Sequence, residues 1–306
     1  MDAQKKSPQS LGAQMRGKVS PEDQERIDRI KRNYWIGYDR AVAIRTQMED
    51  LLRHPRTHRM PNISLIGDSN NGKSMLLKNF CKNSNPPEDP NAEKTILPAL
   101  MVQTPPSADE GRLYYAILDR LSAAGSPREP EDSKLRRIKI ILQHLETKAL
   151  VLDDFFNVAS STPARRRKFL NALRNLSIEL EFPIIISGTS ETLNILSVDP
   201  SIANRFKPLF LPKWTEAREA EFARFIVSVE KVLQLKKPCQ LKDKESMKRL
   251  LIFSEGLIGE VVAILKLFAE LAIRNGSETI TGDMLTRENL KDLGWVMPSD
   301  RTRHIG

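Results

Sequence analysis

Before residue 215, short and continuously apolar runs alternate along the chain with longer amphipathic segments. A short apolar run bounded by Gly, Pro or polar residues is typical of a buried strand, and apolar residues at every third or fourth position are typical of a helix. Strands that alternate with helices in this way predict an α/β protein, with a parallel sheet and helices on both of its faces. The predicted strands are residues 63–66, 96–103, 149–154, 183–189 and 208–211.

The pattern changes on either side of this region. After residue 215 the strand signal disappears and only helical patterns remain, which predicts a small all-helical domain. Residues 1–20 are polar and without periodicity, so they predict a mobile arm, and Ser20 then caps a helix that Pro21 opens. The predicted organisation is an extension with a helix (1–33), an α/β domain (34–213), a helical domain (214–293) and a tail (294–306).

The loop between the first strand and the next helix reads Gly-Asp-Ser-Asn-Asn-Gly-Lys-Ser. This is the phosphate-binding P-loop pattern G-x-x-x-x-G-K-[ST] in its strand–loop–helix setting. Glycines let the backbone curl so that successive N–H groups face a phosphate, and the positive end of the helix dipole adds to that field. We predict that Lys73 contacts the β- and γ-phosphates and that Ser74 binds Mg²⁺. The predicted nucleotide contacts of the loop are Gly67, Asp68, Ser69, Asn70, Asn71, Gly72, Lys73, Ser74 and Met75.

A second set of candidates lies where the other core strands end. Asp153 and Asp154 follow an apolar strand, and acids at that position face the P-loop in an open α/β sheet. We predict that Asp153 holds Mg²⁺ and that Asp154 orients the attacking water. The alternative for these acids is an ordinary cap of the next helix.

Hydroxyl groups end another core strand, at Ser187 and Thr189. We predict that Thr189 senses the γ-phosphate, and the alternative is that it caps the helix starting at Glu191. Arg205 precedes the last strand and is either an arginine finger for a neighbouring subunit's nucleotide or a surface arginine paired with a carboxylate. The predicted catalytic residues are Lys73, Asp154, Thr189 and Arg205.

An aromatic and apolar cluster, Tyr-Trp-Ile-Gly-Tyr at residues 34–38, lies upstream of the P-loop. We predict that Trp35 and Ile36 cover the adenine of a bound nucleotide. The alternative is that these rings pin the N-terminal segment to the core.

Composition limits the class of protein and of partner. The chain has 306 residues, a formal net charge of +9 and a pI near 9.5, which favours a polyanionic partner. It has 2 cysteines, and neither a membrane-length apolar run nor a signal-peptide pattern, so we expect a cytosolic protein with no membrane association and no disulfide framework.

Two basic runs are candidate DNA contacts. One is Arg165, Arg166, Arg167 and Lys168, and the other includes Lys134 and Arg137. The alternative for both is a solvated helix face. Residues 54–59 form a further basic segment before the first strand, and the sequence pattern indicates no function for it.

The order of these parts resembles the AAA+ ATPases, and within them the transposition helpers of the TniB and TnsC type. The phrases that carry the closer resemblance are Trp-Ile-Gly-Tyr at 35–38, Ile-Ile-Ile-Ser-Gly-Thr at 184–189 and Ser-Glu-Gly-Leu-Ile-Gly-Glu at 254–260. The resemblance implies a bacterial cytosolic protein that binds ATP and Mg²⁺. It also implies a homo-oligomer, a ring or filament, on double-stranded DNA, and partners that include a transposase and a target-selection protein.

Two departures from that family affect the expected rate of hydrolysis. The family commonly has Asp-Glu where this chain has Asp153-Asp154, and the shorter second carboxylate implies slow hydrolysis. Glu260 stands where many AAA+ proteins carry a nucleotide-contacting arginine in the helical lid. The predicted function is therefore an ATP-dependent regulator of transposition whose slow hydrolysis drives disassembly. The alternatives are an initiator- or loader-like AAA+ ATPase in replication or repair, and a nucleotide-switch scaffold that does not bind DNA.

Overall fold

The computed structural model describes residues 10–87, 89 and 91–301. These residues fall into two compact units. The α/β unit is Arg40–Pro212, and the helical unit combines the residues up to Asp39 with those from Lys213 onward. Residues 1–9 of the predicted arm and 302–306 of the predicted tail lie outside the described residues.

A five-stranded sheet forms the centre of the α/β unit, and all of its strand pairs are parallel. The strands are β1 (Asn62–Ile66), β2 (Ala99–Gln103), β3 (Ala149–Asp153), β4 (Ile184–Gly188) and β5 (Phe206–Phe210). Their order is β2-β3-β4-β1-β5, so β3, β4 and β1 lie inside the sheet. Every residue of these three strands is buried, which explains their continuously apolar sequences. The predicted parallel sheet between helices is confirmed.

The helices follow the predicted alternation. They are α1 (Leu11–Met15), α2 (Pro21–Lys31), α3 (Asp39–Leu52), α4 (Lys73–Ser84), α5 (Glu110–Arg120), α6 (Glu131–His144), α7 (Pro163–Leu180), α8 (Glu191–Leu196), α9 (Pro200–Ala203), α10 (Glu219–Leu233), α11 (Lys244–Ser254), α12 (Ile258–Arg274), α13 (Arg287–Asp292) and α14 (Pro298–Arg301). No helix among the described residues is both long and apolar enough to span a bilayer.

Strand β2 is shorter than its apolar pattern, which begins at residue 96. Pro98 has no N–H to extend the ladder, and its carbonyl accepts the amides of both Lys148 and Ala149 at 2.8 and 3.0 Å. Leu97 donates instead to Leu145, outside the sheet. Ladder pairing therefore starts only at Ala99.

The described part of the N-terminal segment packs within the helical unit. Helices α1 and α2 both contact α12, and the amide of Gly12 donates to Asp292 at 3.1 Å. Arg26 of α2 makes two 2.7 Å hydrogen bonds to the buried Glu278. The expectation of an arm without structure is therefore wrong for residues 11–15, which form a helix capped by Ser10.

Candidate nucleotide-binding site

The P-loop runs from the end of β1 to the start of α4 and is fixed from two sides. The amide of Gly67 donates to the carbonyl of Gly188 in β4 at 3.1 Å. A Cβ atom on Gly67 would lie 2.7 Å from the carbonyl oxygen of Leu211, so only glycine fits here without moving the backbone. Asn70 and Gly72 adopt left-handed φ values of 56° and 85°, which produce the curl that the pattern predicts.

Asn71 ties the loop to the end of β5. The residue is fully buried, and its side-chain amide donates to the carbonyl of Leu211 at 2.7 Å. Leu211 in turn donates its own amide to Ile66, the last residue of β1. The side chain of Asn71 thus holds the loop in place and leaves its main chain to face a phosphate.

Lys73 opens α4 and folds back over the loop. Its ammonium donates to the carbonyls of Gly67 and Asp68 at 2.9 and 2.7 Å, and the residue is 7% exposed. Burial lowers the pKa of Lys73, while the charges of Asp153, Asp154 and Asp68 oppose that shift. The ammonium is therefore prepositioned beside two acids at the end of the sheet where the loop lies.

Asp153, the last residue of β3, is buried, and one of its carboxylate oxygens is already engaged. Its Oδ1 accepts the amide of Asp154 at 3.0 Å and the hydroxyl of Ser187. Ser187 therefore donates its hydroxyl to Asp153. Within the described ranges, both recorded bonds of the Asp153 carboxylate fall on Oδ1, which leaves Oδ2 for a metal ion or its water.

Asp154 follows directly and has a left-handed backbone, with φ 53° and ψ 47°. An aspartate tolerates this conformation better than most residues, and here it turns the chain into a 3-10 helix, Phe155–Ser160. The side-chain amide of Gln103 donates to Oδ2 of Asp154 at 2.6 Å. The sequence reasoning did not single out Gln103, although it is a polar residue at the end of a predicted strand.

Thr189 comes just after β4, which lies between β3 and β1 in the sheet. Its position is therefore at the same sheet edge as the P-loop and Asp153. Helix α8 begins at Glu191, and the side chain of the preceding Ser190 makes no capping hydrogen bond. Both roles of Thr189, as γ-phosphate sensor and as cap, stay predictions. The carbonyl of Thr189 accepts the amide of Thr192 at 2.9 Å.

Arg205 lies at the opposite edge of the sheet from these residues. Its carbonyl accepts the amide of Asn62, the first residue of β1, at 2.9 Å, whereas the P-loop follows the last. Its Nε is buried without a hydrogen-bond partner, and no carboxylate among the described residues pairs with it. Burial lowers the pKa of Arg205, and nearby Arg59 and Arg174 lower it further. The alternative of a carboxylate-paired surface arginine is therefore wrong.

The residues at the P-loop edge have the chemistry that a magnesium–nucleotide complex needs. Mg²⁺ prefers oxygen ligands and usually takes one or two from protein groups, with phosphates and waters completing its shell. Ser74 and Asp153 are such donors, and the described part of the chain has no cluster of three or more acids, histidines or cysteines that would hold an ion alone. The donor set fits an ion that shares its shell with phosphates.

The family of this chain follows from its match to a family model. The model of the family described as "Bacterial TniB protein" matches residues 26–216, which is more than half of the chain and includes the whole sheet. The chain belongs to the TniB family. No curated protein sequence matches it.

Solved structures similar to this TniB-family chain include proteins of the ORC and Cdc6 type. ORC2 of Aeropyrum pernix, in its ADPNP-ADP complexes, has 14% identity and a TM-score of 0.59 over 86% of this chain and 71% of that one. Cdc6p of Pyrobaculum aerophilum has 17% identity and a TM-score of 0.55 over 87% and 71%. ORC1 of Aeropyrum pernix in complex with DNA has 13% identity and a TM-score of 0.57 over 88% and 68%. These likenesses establish the AAA+ fold.

The residues of the TniB-family chain that were predicted to contact DNA differ in how exposed their side chains are. Arg165, Arg167 and Lys168 are exposed on the first turns of α7. Lys134 is 3% exposed, and its ammonium donates to the carbonyl of Pro127, so the prediction that it contacts DNA is wrong. The physical reason is that the turn before α6 folds over this lysine. Arg137 is half-exposed, but it donates to the carbonyl of Ala123 and pairs with Glu129, which reduces its availability.

The aromatic cluster before α3 lies in the helical unit. Tyr38 packs on Trp214 and Phe225 with ring centroids 5.2 and 5.7 Å away, and the hydroxyl of Tyr34 donates to Arg29. Ile36 packs against the same helical core. These contacts match the alternative role of pinning the segment, and the coverage of adenine by Trp35 and Ile36 stays a prediction.

Proposed function

We propose that this protein is an ATP-dependent, DNA-binding regulator of transposition. ATP binding promotes its assembly along double-stranded target DNA, where it recruits or activates a transposase, and hydrolysis drives disassembly. The observation that carries the proposal is the division of candidate residues between two sheet edges. Lys73, Asp153 and Asp154 lie at one edge, and Arg205 lies at the other without an acidic partner.

Each residue at the P-loop edge has a role in binding or hydrolysis. Lys73 neutralises the β- and γ-phosphates, and the curled backbone from Gly67 to Gly72 donates its N–H groups. A Mg²⁺ ion held by Ser74 and Asp153 would balance charge on the phosphate oxygens. Asp154 orients the attacking water and accepts its proton as the water oxygen bonds to the γ-phosphorus. The bond from that phosphorus to the β–γ bridging oxygen breaks, and ADP leaves with that oxygen. Thr189 donates its hydroxyl to the γ-phosphate.

We expect ATP hydrolysis by this protein to be slow. The carboxylate of Asp154 is one methylene shorter than a glutamate, and Gln103 engages one of its oxygens. Glu260, at the lid position where many AAA+ proteins have an arginine, is buried and makes two 2.7 Å hydrogen bonds to Arg301. Slow ATP hydrolysis suits an assembly factor better than it suits a motor.

Assembly follows from the position of Arg205. Strand β1 has five residues, and at about 3.3 Å per residue its ends lie about 13 Å apart. Arg205 lies beside the first residue and the P-loop follows the last, so this arginine serves the nucleotide of another copy. A head-to-tail contact of this kind generates a ring or a filament.

The DNA-binding part of the proposal draws on charge. The chain carries a formal net charge of +9, and exposed cations such as Arg167 and Lys168 open α7. The similar Aeropyrum ORC1 was solved in complex with DNA, and the chain belongs to a bacterial family. We place the protein in the bacterial cytoplasm, associated with DNA, with a transposase and a target-selection protein as partners.

A second candidate function is an initiator- or loader-like ATPase in replication or repair. The fold similarity to ORC and Cdc6 proteins favours it. Co-purification separates the two candidates: a transposase retained with ATP supports the first, and a replication helicase supports the second. A scaffold that never binds DNA is the remaining alternative.

Retention on duplex DNA with ATP, with a hydrolysis-resistant analogue, with ADP and without nucleotide tests the proposal. We expect strong retention only with ATP or the analogue, and a steep loss of retention as salt rises. With Lys73→Ala, retention on DNA should no longer depend on which nucleotide is present. Lys78→Ala, which removes an exposed lysine from the same helix, is the matched control and should behave as wild type. Equal retention with and without nucleotide would contradict the proposal.

A further inference from the structure

The basic segment before β1 has no role in the function described so far. All residues from 53 to 59 are exposed, and they include three arginines and two histidines. Arg53 pairs with Asp50 at 3.3 Å, and His58 contacts Glu181 at 3.5 Å. Arg59 has no acidic partner among the residues that the structure describes. This arginine is therefore a free cation at the start of the central strand.

The fold joins the chain just after Arg59 to the backbone of Arg205. Met60 is buried, and both the amide and the hydroxyl of Thr57 contact its sulfur, which fixes the end of the loop. Two residues later, Asn62 donates its amide to the carbonyl of Arg205 at 2.9 Å. The side chain of Asn62, 3% exposed, accepts the amide of Ile184 at 2.8 Å, so the starts of β1, β4 and β5 are tied together. Arg205 and the start of the strand that follows Arg59 are consequently held together.

Arg174, half-buried on the second half of α7, is the third member of this group. Its charge and that of Arg59 both reach Arg205, whose pKa is lowered first by burial and then by these two arginines. Arg174 also acts on Asp199, whose pKa is lowered mainly by its hydrogen bond from Ser201. The carboxylate of Asp199 accepts the amide and the hydroxyl of Ser201 at 2.9 and 2.7 Å, so it is engaged locally. We call Arg59, Arg174 and Arg205 the arginine triad.

Two like charges that act on a partly buried third are unfavourable unless an anion offsets them. Repulsion between partly buried cations is screened less than repulsion in bulk water, and a buried guanidinium N–H without a partner adds a desolvation cost. Arg205 has such an atom in Nε. A compact, multiply charged anion with several acceptor oxygens would remove both costs, because guanidinium groups bind phosphate oxygens in a fork geometry.

We propose that Arg59 and Arg174 join Arg205 in contacting the triphosphate that is bound at the P-loop of a second copy of this chain. The inference rests on the proposed function and deepens it, because it assigns two more arginines to the site between copies. The protein's own P-loop is excluded by its position at the other end of β1. A triphosphate fits better than a DNA backbone because two of the three arginines are half-buried, whereas DNA phosphates call for exposed cations spread along a surface.

Variants of the two new residues test this assignment. Arg59→Ala and Arg174→Gln, singly and together, should bind nucleotide as wild type at concentrations where the protein is monomeric. Their analogue-dependent assembly should be lost and their ATP hydrolysis should fall at least about tenfold, since arginines that act in trans on phosphoryl transfer carry large effects. Arg53→Ala is the matched control, because this arginine lies in the same loop but pairs with Asp50. It should assemble and hydrolyse ATP as wild type.

A mixing experiment tests the action between copies. Lys73→Ala supplies an intact triad without nucleotide, and Arg59→Ala/Arg174→Gln supplies a bound nucleotide but keeps only Arg205 of the triad. Each is expected to hydrolyse ATP poorly alone, and their mixture should recover hydrolysis if the triad acts on a neighbour. Failure of recovery in a mixture that co-assembles would overturn the inference.

Three outcomes separate this inference from the proposed function. Wild-type protein that does not assemble with the analogue overturns both. Wild-type protein that assembles, together with triad variants that assemble and hydrolyse ATP equally well, overturns the inference alone. Triad variants that keep hydrolysis but lose DNA retention also overturn it, because the triad would then be a DNA contact. Arg59 is exposed, so Arg59→Ala alone carries the test if the Arg174→Gln variant does not fold.

Discussion

The side-chain amide of Gln103 donates a 2.6 Å hydrogen bond to Oδ2 of Asp154. Gln103 ends β2 and lies in register with Asp153 in β3, so the contact joins the ends of two adjacent strands. A hydrogen bond to one oxygen of a carboxylate occupies that oxygen and fixes the orientation of the group. Gln103 therefore restrains the residue that we assign to the attacking water.

Gln103→Ala should release this restraint. We expect nucleotide affinity to stay at the wild-type value and the basal rate of ATP hydrolysis to rise several-fold, because both oxygens of Asp154 become available. Steady-state phosphate release at saturating ATP measures the effect. A slower variant would show that Gln103 aligns the carboxylate for catalysis.

Asp154→Ala should separate binding from hydrolysis. The variant keeps Lys73, Ser74 and Asp153, so we expect it to bind ATP as wild type while hydrolysis falls about a hundredfold or more, the range for loss of a general base. The assembly on DNA should then persist after ATP is added. Nucleotide titration measures binding, and phosphate release measures hydrolysis. Hydrolysis at the wild-type rate would contradict the assignment of Asp154 to the attacking water.

Gly67→Ala should damage the loop through a backbone collision. The new Cβ would lie 2.7 Å from the carbonyl oxygen of Leu211, which cannot rotate away as a side chain does. We expect a loss of about 1–3 kcal/mol in the free energy of unfolding, as for other overpacked sites, and weaker nucleotide binding. Gly111→Ala in α5 is the control, since its nearest neighbour is the flexible end of Glu131 at 3.1 Å. Urea unfolding of both variants makes the comparison, and equal stability would contradict the collision.

Cys81 should make stability depend on alkaline pH. Burial raises the pKa of its thiol from 9.0 to about 12. Between these values the folded chain keeps the proton and the unfolded chain loses it, so the free energy of unfolding falls as the pH rises above 9.0. The expected loss is about 1 kcal/mol per pH unit. Cys81→Ala should show a smaller slope than wild type when urea unfolding is measured on either side of pH 9.0, and an unchanged slope would contradict this origin.

Local patterns predicted the fold class and the curled backbone of the P-loop. The curl at Asn70 and Gly72 and the acids after β3 follow from residues that are adjacent in sequence, because the spacing alone dictates the backbone. The contacts of Asp154 with Gln103 and of Asp153 with Ser187 depend on the order of strands in the sheet. Composition and periodicity leave that order open, so these two pairings could not be predicted.

The basic residues show the same limit. A run of basic residues shows that lysines and arginines are present. Whether their side chains are exposed to solvent depends on how the neighbouring loops fold. Lys134 is buried by the turn at Pro127, whereas Arg59 and Arg174, far apart in sequence, come near Arg205 only in the folded sheet. The helix at residues 11–15 was missed for a related reason, since a short helix gains its stability from packing, here on α12.

In the proposed mechanism, ATP bound at the P-loop joins copies of this chain along a duplex. Electron microscopy of the protein with duplex DNA and a hydrolysis-resistant ATP analogue, beside samples with ADP and with no nucleotide, shows whether this assembly forms. We expect rings or filaments of many copies around the duplex with the analogue, and their absence in the other two samples. Single copies scattered on the DNA in all three samples would contradict the proposed mechanism.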